Sequence, residues 1–166
     1  MDNNLIANIL LNICKIFNNH DVQYLIVGGS AVALHGYFRM SMQTDGLPAA
    51  KYDIDIWYNP TYDNYFKLLN ALDELGHDVA EFKSETAPNP KKSFFKFELE
   101  NFTLDLLPQL KGLAQFRLSF ENRETVNIND IDIYFISYQD LIKDKEATAR
   151  TKDLIDIEQL KKNNKK

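Results

Sequence analysis

Two aspartates one residue apart, Asp53 and Asp55, lie in the run Tyr52 to Tyr58. The run alternates, so Tyr52, Ile54, Ile56 and Tyr58 face one way and Asp53, Asp55 and Trp57 the other. On a strand this sets the two carboxylates on one face, about 7 Å apart along the backbone. Two carboxylates held together and buried repel when both are ionised. A divalent cation relieves that repulsion, and Mg²⁺ suits the task because it binds through a few carboxylates together with substrate phosphates. The Asp-x-Asp spacing alone fits a solvated face at a sheet edge equally well. Upstream, Gly28-Gly29-Ser30 separates an apolar run from a helix-forming one. Glycines at a strand-to-helix turn let the backbone approach a ligand, and a helix start offers N–H groups to phosphate. Ser30 adds a hydroxyl donor. The turn is not a P-loop, since no Gly-Lys-Ser/Thr follows. Downstream, Asp105 sits within Thr103-Leu104-Asp105-Leu106-Leu107. A carboxylate among buried apolar neighbours needs a partner, unless its own position is exposed.

The elements that must position these groups are legible as patterns. Leu5 to Phe17 places Leu5, Ile6, Ile9, Leu10, Ile13 and Phe17 at helical spacing. Asn18 to Asp21 stops that helix, and Tyr24 to Val27 reads as a short buried strand. The glycine turn follows, with a helix over Ala31 to Tyr37. Ser41 to Lys51 is a polar loop, and Tyr52 to Tyr58 is the acidic strand. Tyr62 to Leu75 reads as a helix with Phe66, Leu69 and Leu72 toward the core and Gly76 as its stop. A short strand is expected over His77 to Phe82, and a loop over Ser84 to Lys92. Ser93 to Glu100 alternates as a half-buried strand, and Phe102 to Leu107 is the next. Lys111 to Phe120 reads as a helix. A hairpin over Glu124 to Ile136 turns at Asn129-Asp130. Ser137, with Asp140 three residues on, has capping-box spacing for a helix start. Two helices are expected from there, broken near Thr151, and then a solvated basic tail from Lys161 to Lys166. No internal repeat is visible.

The 166 residues fit one domain, or a domain with a small helical appendage. At 45% hydrophobic and 12% aromatic the chain can build an ordinary core and is not disordered in composition. A net charge of −5 gives no global attraction to nucleic acid; a local basic patch would have to supply it. The one cysteine, Cys14, excludes a disulfide framework within the chain and a multi-cysteine zinc site. Its place in an apolar helical pattern makes it a core residue. The scattered His20, His35 and His77 do not suggest a metal site, and His35 reads as a packing or locally hydrogen-bonded residue. No apolar run approaches the roughly 20 residues needed to span a bilayer. Met1-Asp2-Asn3-Asn4 lacks a basic signal-peptide start, so a cytoplasmic location without membrane attachment is the default expectation.

Taken together, Gly28-Gly29-Ser30, then Asp53-Ile54-Asp55, then Asp105 resemble the nucleotidyltransferase superfamily with the DNA polymerase β-like fold. The stretch from Val27 to Ile56, with His35-Gly36-Tyr37 and Arg39 ahead of the acidic strand, is similar to small bacterial nucleotidyltransferases. That group includes abortive-infection toxin-like proteins and the minimal nucleotidyltransferases. The C-terminal pieces resemble the helical segment those proteins carry after the catalytic sheet: Ser137 to Ile142, Lys145, Arg150 and Lys152 to Asp156. The resemblance covers residues 22 to 160. It implies an α/β (α+β) fold, a mixed sheet flanked by helices, with a catalytic domain over residues 1–136 and a helical segment over 137–166 packed on it. One departure is the long loop Ser41 to Lys51, where relatives run directly into the acidic strand. It could shape the acceptor site or displace Arg39.

The resemblance further implies a transferase using an NTP such as ATP and two Mg²⁺ ions. Asp53 and Asp55 would bridge both ions, and Asp105 would hold the one that activates the attacking hydroxyl. The nucleotide-binding set would be Gly28, Gly29, Ser30, Arg39, Lys145, Lys152 and Asp153. Lys145, one helical turn after Leu141, would reach the triphosphate as a point charge, although the run Lys143 to Glu146 also suits a surface helix. Asp153 would orient Lys145 or Arg150, or else cap a helix start. Three readings of function follow. The first is transfer to a tRNA end or a protein, as in toxin–antitoxin systems, with an antitoxin as partner. The second is transfer to a small molecule such as an antibiotic. The third is a non-catalytic nucleotide-binding or antitoxin-type module, against which the completeness of the acidic set argues.

Overall fold

The computed structural model describes residues 3–37 and 43–165. Arg39 therefore lies outside the described residues. The elements, in chain order, are α1 (Asn3–Asn19), β1 (Tyr24–Val27), α2 (Gly28–Leu34), β2 (Tyr52–Tyr58), α3 (Tyr62–Glu74), α4 (Ala80–Ser84), β3 (Phe95–Glu98), β4 (Phe102–Leu107), α5 (Phe116–Glu121), β5 (Glu124–Ile128), β6 (Ile131–Phe135), α6 (Tyr138–Thr148) and α7 (Thr151–Asn164). The six strands form one mixed sheet in the order β3-β4-β2-β1-β6-β5. β2 runs parallel to β4 and antiparallel to β1, and β1 is parallel to β6. This is the mixed α+β architecture expected from the sequence.

The period-2 pattern of the strands divides the interior into two cores. On one face Tyr24, Ile26, Ile54, Ile56, Leu104 and Leu106 meet α1 through Ile13, Cys14 and Phe17, and α3 through Tyr65, Leu68 and Leu72. On the other face Leu25, Val27 and Trp57 meet Ala31 and Val32 of α2, Phe116 of α5, Leu141 of α6 and Leu160 of α7. Asp53 and Asp55 share Trp57's side of β2, so they open onto the second face. There α2, α6 and α7 supply the walls.

Local chemistry explains most boundaries. Thr61 accepts the Asn64 N–H at the start of α3, and Ser137 accepts the Asp140 N–H at the start of α6. Asn129 and Asp130 both take positive φ (53° and 62°) in the β5–β6 turn, the conformation a two-residue hairpin requires. Between α6 and α7, Ala149 turns left-handed and Asp153 accepts the Arg150 N–H at 3.1 Å, capping α7.

Several expectations are corrected. The second helix begins at Gly28 rather than Ala31 and ends at Leu34, so the glycines form its first turn. In α3 the core residues are Tyr65, Leu68, Leu69 and Leu72, whereas Phe66 is 48% exposed. Position 66 falls off the i, i+3, i+4, i+7 stripe those four residues define. His77 to Phe82 is not a strand. Asp78 accepts the Ala80 N–H and α4 begins there, while Val79 is buried and Phe82 packs on Phe95, a three-residue spacing that suits a helix. The helix expected over Lys111 to Phe120 shrinks to Phe116–Glu121. Its first half is a loop pressed on α6, where a Cβ on Gly112 would lie 2.6 Å from the Lys143 carbonyl. The basic tail is largely helical, since α7 continues to Asn164 with a Lys162–Glu158 pair one turn apart.

Candidate active site

Strand pairing decides which carboxylates meet. Asp55 stands directly opposite Asp105 in the parallel β2–β4 register, and Asp53 opposite Thr103. Residues two apart on β4 share a face, so Thr103 and Asp105 look out beside Asp53 and Asp55. The Thr103 hydroxyl donates to Asp53 Oδ1 at 2.6 Å and fixes that carboxylate. On the far side of β4, Lys96 of β3 pairs in register with Asp105. These groups line a cleft of about 420 Å³ together with Gly28, Phe94, Lys111, Thr148, Arg150 and Lys152.

The electrostatics are those of an anionic nest with cations on its rim. Burial pushes the Asp55 carboxyl up to about 6, and the charges of Asp105 and Asp53 add to this against Lys152 and Lys145. Asp105 is raised as well, by burial first, with Lys96 opposing. Its Oδ1 is buried and has no hydrogen-bond partner among the described residues. A buried orphan carboxylate oxygen in an all-oxygen donor set is what a hard cation would satisfy. Among the described residues, however, no three His, Cys, Asp or Glu side chains close on a common point as a ready metal cage.

Gly28 is required where it stands. Its φ is +61°, and a Cβ there would lie 2.4 Å from Asp55 Oδ2. The backbone at the start of α2 thus stands close against the Asp55 carboxylate. Of the Gly28-Gly29-Ser30 turn, Gly28 lines the cleft. Ser30 is 2% exposed and donates its hydroxyl to Tyr52 Oη at 3.3 Å.

The C-terminal helices contribute cations in an order the sequence did not reveal. Lys145, 4% exposed, is held between Asp156 (2.8 Å) and Asp153 (3.3 Å), and it is not among the residues lining the cleft. Asp153 has no exposed surface and also accepts from Thr148 Oγ1 (2.8 Å), Arg150 Nε (2.7 Å) and Arg150 Nη2 (3.2 Å). Burial would raise the Asp153 carboxyl, but the bonds from Arg150 and Thr148 and the charge of Lys145 outweigh it and bring it to about 2. Arg150, aimed by that bidentate grip, lines the cleft with Lys152, whose ammonium is lowered by burial and by Arg150. Sequence reasoning placed Lys152 and Asp153 at the site. It did not place Thr103, Lys96, Lys111 or Thr148 there, and Arg150 entered as part of the resembling C-terminal segment and as a residue for Asp153 to orient, not in the nucleotide-binding set. Lys96 was visible as the polar face of an alternating strand, but nothing local says that β3 lies beside β4.

The fold and this acidic cleft define a nucleotidyltransferase-type domain. A model of the family described as "Nucleotidyltransferase of unknown function (DUF6036)" matches residues 5–163, and the chain belongs to that family. No curated protein sequence matches the chain. Among solved structures, a candidate nucleotidyltransferase from Thermotoga maritima is similar over 98% of this chain and 94% of its own, at 16% identity and a TM-score of 0.54. An antigenic nucleotidyltransferase-like protein from Paracoccidioides brasiliensis is similar over 96% and 77%, at 13% identity and a TM-score of 0.54. The lincomycin-bound lincosamide antibiotic adenylyltransferase LnuA is similar over 97% of each chain, at 21% identity and a TM-score of 0.52. At these identities the likeness is one of fold. Among the described residues no helix is long and apolar enough to cross a membrane.

Proposed function

We propose that this protein moves a nucleoside monophosphate from an NTP to a hydroxyl of a macromolecular acceptor, a tRNA end or a protein. The observation that carries the reading is the convergence of Asp53, Asp55 and Asp105 on one cleft that also presents Arg150 and Lys152. Asp53, Asp55 and Asp105 would hold Mg²⁺. When bound, such ions neutralise a triphosphate and lower the pKa of an attacking hydroxyl. The chain's own part is positioning. Thr103 holds Asp53 in one orientation. Gly28 lets the start of α2 stand against Asp55, where its backbone meets the phosphates. Arg150, oriented by Asp153, offers a planar fork to phosphate oxygens, and Lys152 a point charge. Lys145 balances the buried Asp153 and Asp156, so its effect on the nucleotide is exerted through Arg150. The acceptor oxygen attacks the α-phosphorus, the bond to the β-phosphate oxygen breaks, pyrophosphate leaves, and the hydroxyl proton passes to solvent. In a toxin–antitoxin setting an antitoxin partner would restrain this activity.

A small-molecule acceptor is the second reading, favoured by the likeness in fold to an antibiotic adenylyltransferase. The test is incubation with each radiolabelled NTP and Mg²⁺, with total cell RNA, protein or an antibiotic panel as acceptor. Label on RNA or protein, lost in Asp53→Ala, is the expected result. Transfer that survives the double change Asp53→Ala and Asp55→Ala overturns the proposal. NTP binding without turnover on any acceptor would leave a non-catalytic module.

A further inference from the structure

The strand order gives the cleft two ends. Gly28 closes the end beside β1, and beyond Asp105 the sheet continues to its edge strand, β3. Just there the chain interleaves cations with rings: Lys91, Lys92, Phe94, Phe95, Lys96. Alternation sends Phe95 inward, 1% exposed, and sets Phe94 on the face of Lys96. Both line the cleft, with Phe94 47% exposed. The ring stands on a fixed base. Tyr58 Oη, from the sheet, donates to the Pro90 carbonyl at 2.8 Å and to the Ser93 carbonyl, while the Lys92 N–H closes a turn on the Asn89 carbonyl. Lys91 and Lys92 are exposed on that turn. Glu98, next on the same face, lies 4.0 Å from Lys96.

A half-exposed ring beside a polar reaction centre offers a π-face to a planar group, and flanking lysines suit an anionic chain. Because the net charge of −5 repels polyanions, such a local patch is needed to hold one. A cationic small molecule would be repelled by the same lysines. We infer that this edge is the acceptor subsite and that its occupant is the end of a single-stranded nucleic acid, the terminal base stacked on Phe94 and the backbone along Lys91, Lys92 and Lys96. The inference rests on the transferase reading, since only that reading makes the Asp105 end the acceptor end.

The test uses the full chain and a fluorescein-labelled single-stranded RNA octamer, followed by anisotropy in EDTA without nucleotide at low and moderate salt. NTP binding with Mg²⁺ is measured separately by calorimetry. Phe94→Ala is expected to weaken RNA binding about tenfold and Phe94→Trp to preserve it, both with NTP affinity unchanged. The pair Lys91→Glu and Lys92→Glu is expected to weaken RNA binding and flatten its salt dependence. No RNA binding, or binding indifferent to both sets of changes, overturns the inference. So does a Phe94→Ala variant that loses NTP affinity and keeps RNA affinity, which would give the ring to the nucleotide base. RNA binding that follows the expected pattern with no transfer from any NTP leaves an RNA-binding edge on Phe94 and overturns both the transferase reading and the acceptor role given to that edge.

Discussion

Asp55 is charged at a cost to the fold, and replacing it by asparagine should stabilise the protein while disabling it. Folding raises its carboxyl from 3.8 to about 6. Between those values the folded state binds more protons than the unfolded state, so stability falls as pH rises from about 4 to about 6. Above that window the loss is complete. At about 1.4 kcal/mol per tenfold change in proton affinity it amounts to about 3 kcal/mol. Asp55→Asn removes the repulsion with Asp53 and Asp105 but retains the burial of a polar amide, so part of this is recovered. For a chain of this length the gain corresponds to a melting temperature about 5–10 °C higher near pH 8, shrinking toward zero near pH 4. The assay is thermal unfolding followed by circular dichroism in EDTA across that pH range. A variant that melts at or below the native protein near pH 8, or a difference that does not grow with pH, refutes the reasoning. Adding NTP and Mg²⁺ should raise the native melting temperature and leave Asp55→Asn unmoved.

Gly28→Ala forces a left-handed backbone on alanine and drives its Cβ into Asp55. It should cost about 1–3 kcal/mol in a urea titration and lower nucleotide transfer at least tenfold. Asp153→Asn leaves Lys145 with one fewer buried counter-charge and loosens Arg150. Breaking such a buried pair should cost about 3–5 kcal/mol, and a weakened NTP affinity should appear by calorimetry in whatever fraction remains folded. Because the native carboxyl of Asp153 is brought down to about 2, its contribution is present above the ordinary value of 3.8 and lost as pH falls from there toward 2. Acid unfolding of Asp153→Asn should therefore lack that component. Burial pushes the Cys14 thiol up to about 11, so a thiol reagent should label it only as fast as the fold opens.

Much of this molecule is written locally. The bounds of β1, β2 and β4, the Asn129-Asp130 turn and the Ser137 cap follow from period, turn chemistry and capping. Each of these depends on residues within a few positions of one another. The placement of Asp53 and Asp55 on one face is of the same kind, since a pleated strand leaves no other choice. Where local signals conflicted, tertiary contact decided. Phe82 could serve a strand or a helix, and it lies in α4 with its ring packed on Phe95. Phe66 was expected toward the core, but the phase of α3 against the sheet buried Tyr65 and left Phe66 half-exposed.

The sequence by itself determined that a pair of strand-borne carboxylates would face one way near a glycine turn. Only the tertiary structure decided what they face. Asp105 lies opposite Asp55 because β4 runs parallel to β2, a pairing set by which apolar faces must be covered across a long intervening chain. It likewise decided that Arg150 and Lys152 look into the cleft while Lys145 is drawn away to Asp153 and Asp156. Side-chain direction on a helix is fixed locally, but the surface that helix meets depends on packing, and the pull between buried opposite charges acts only once the chain has folded.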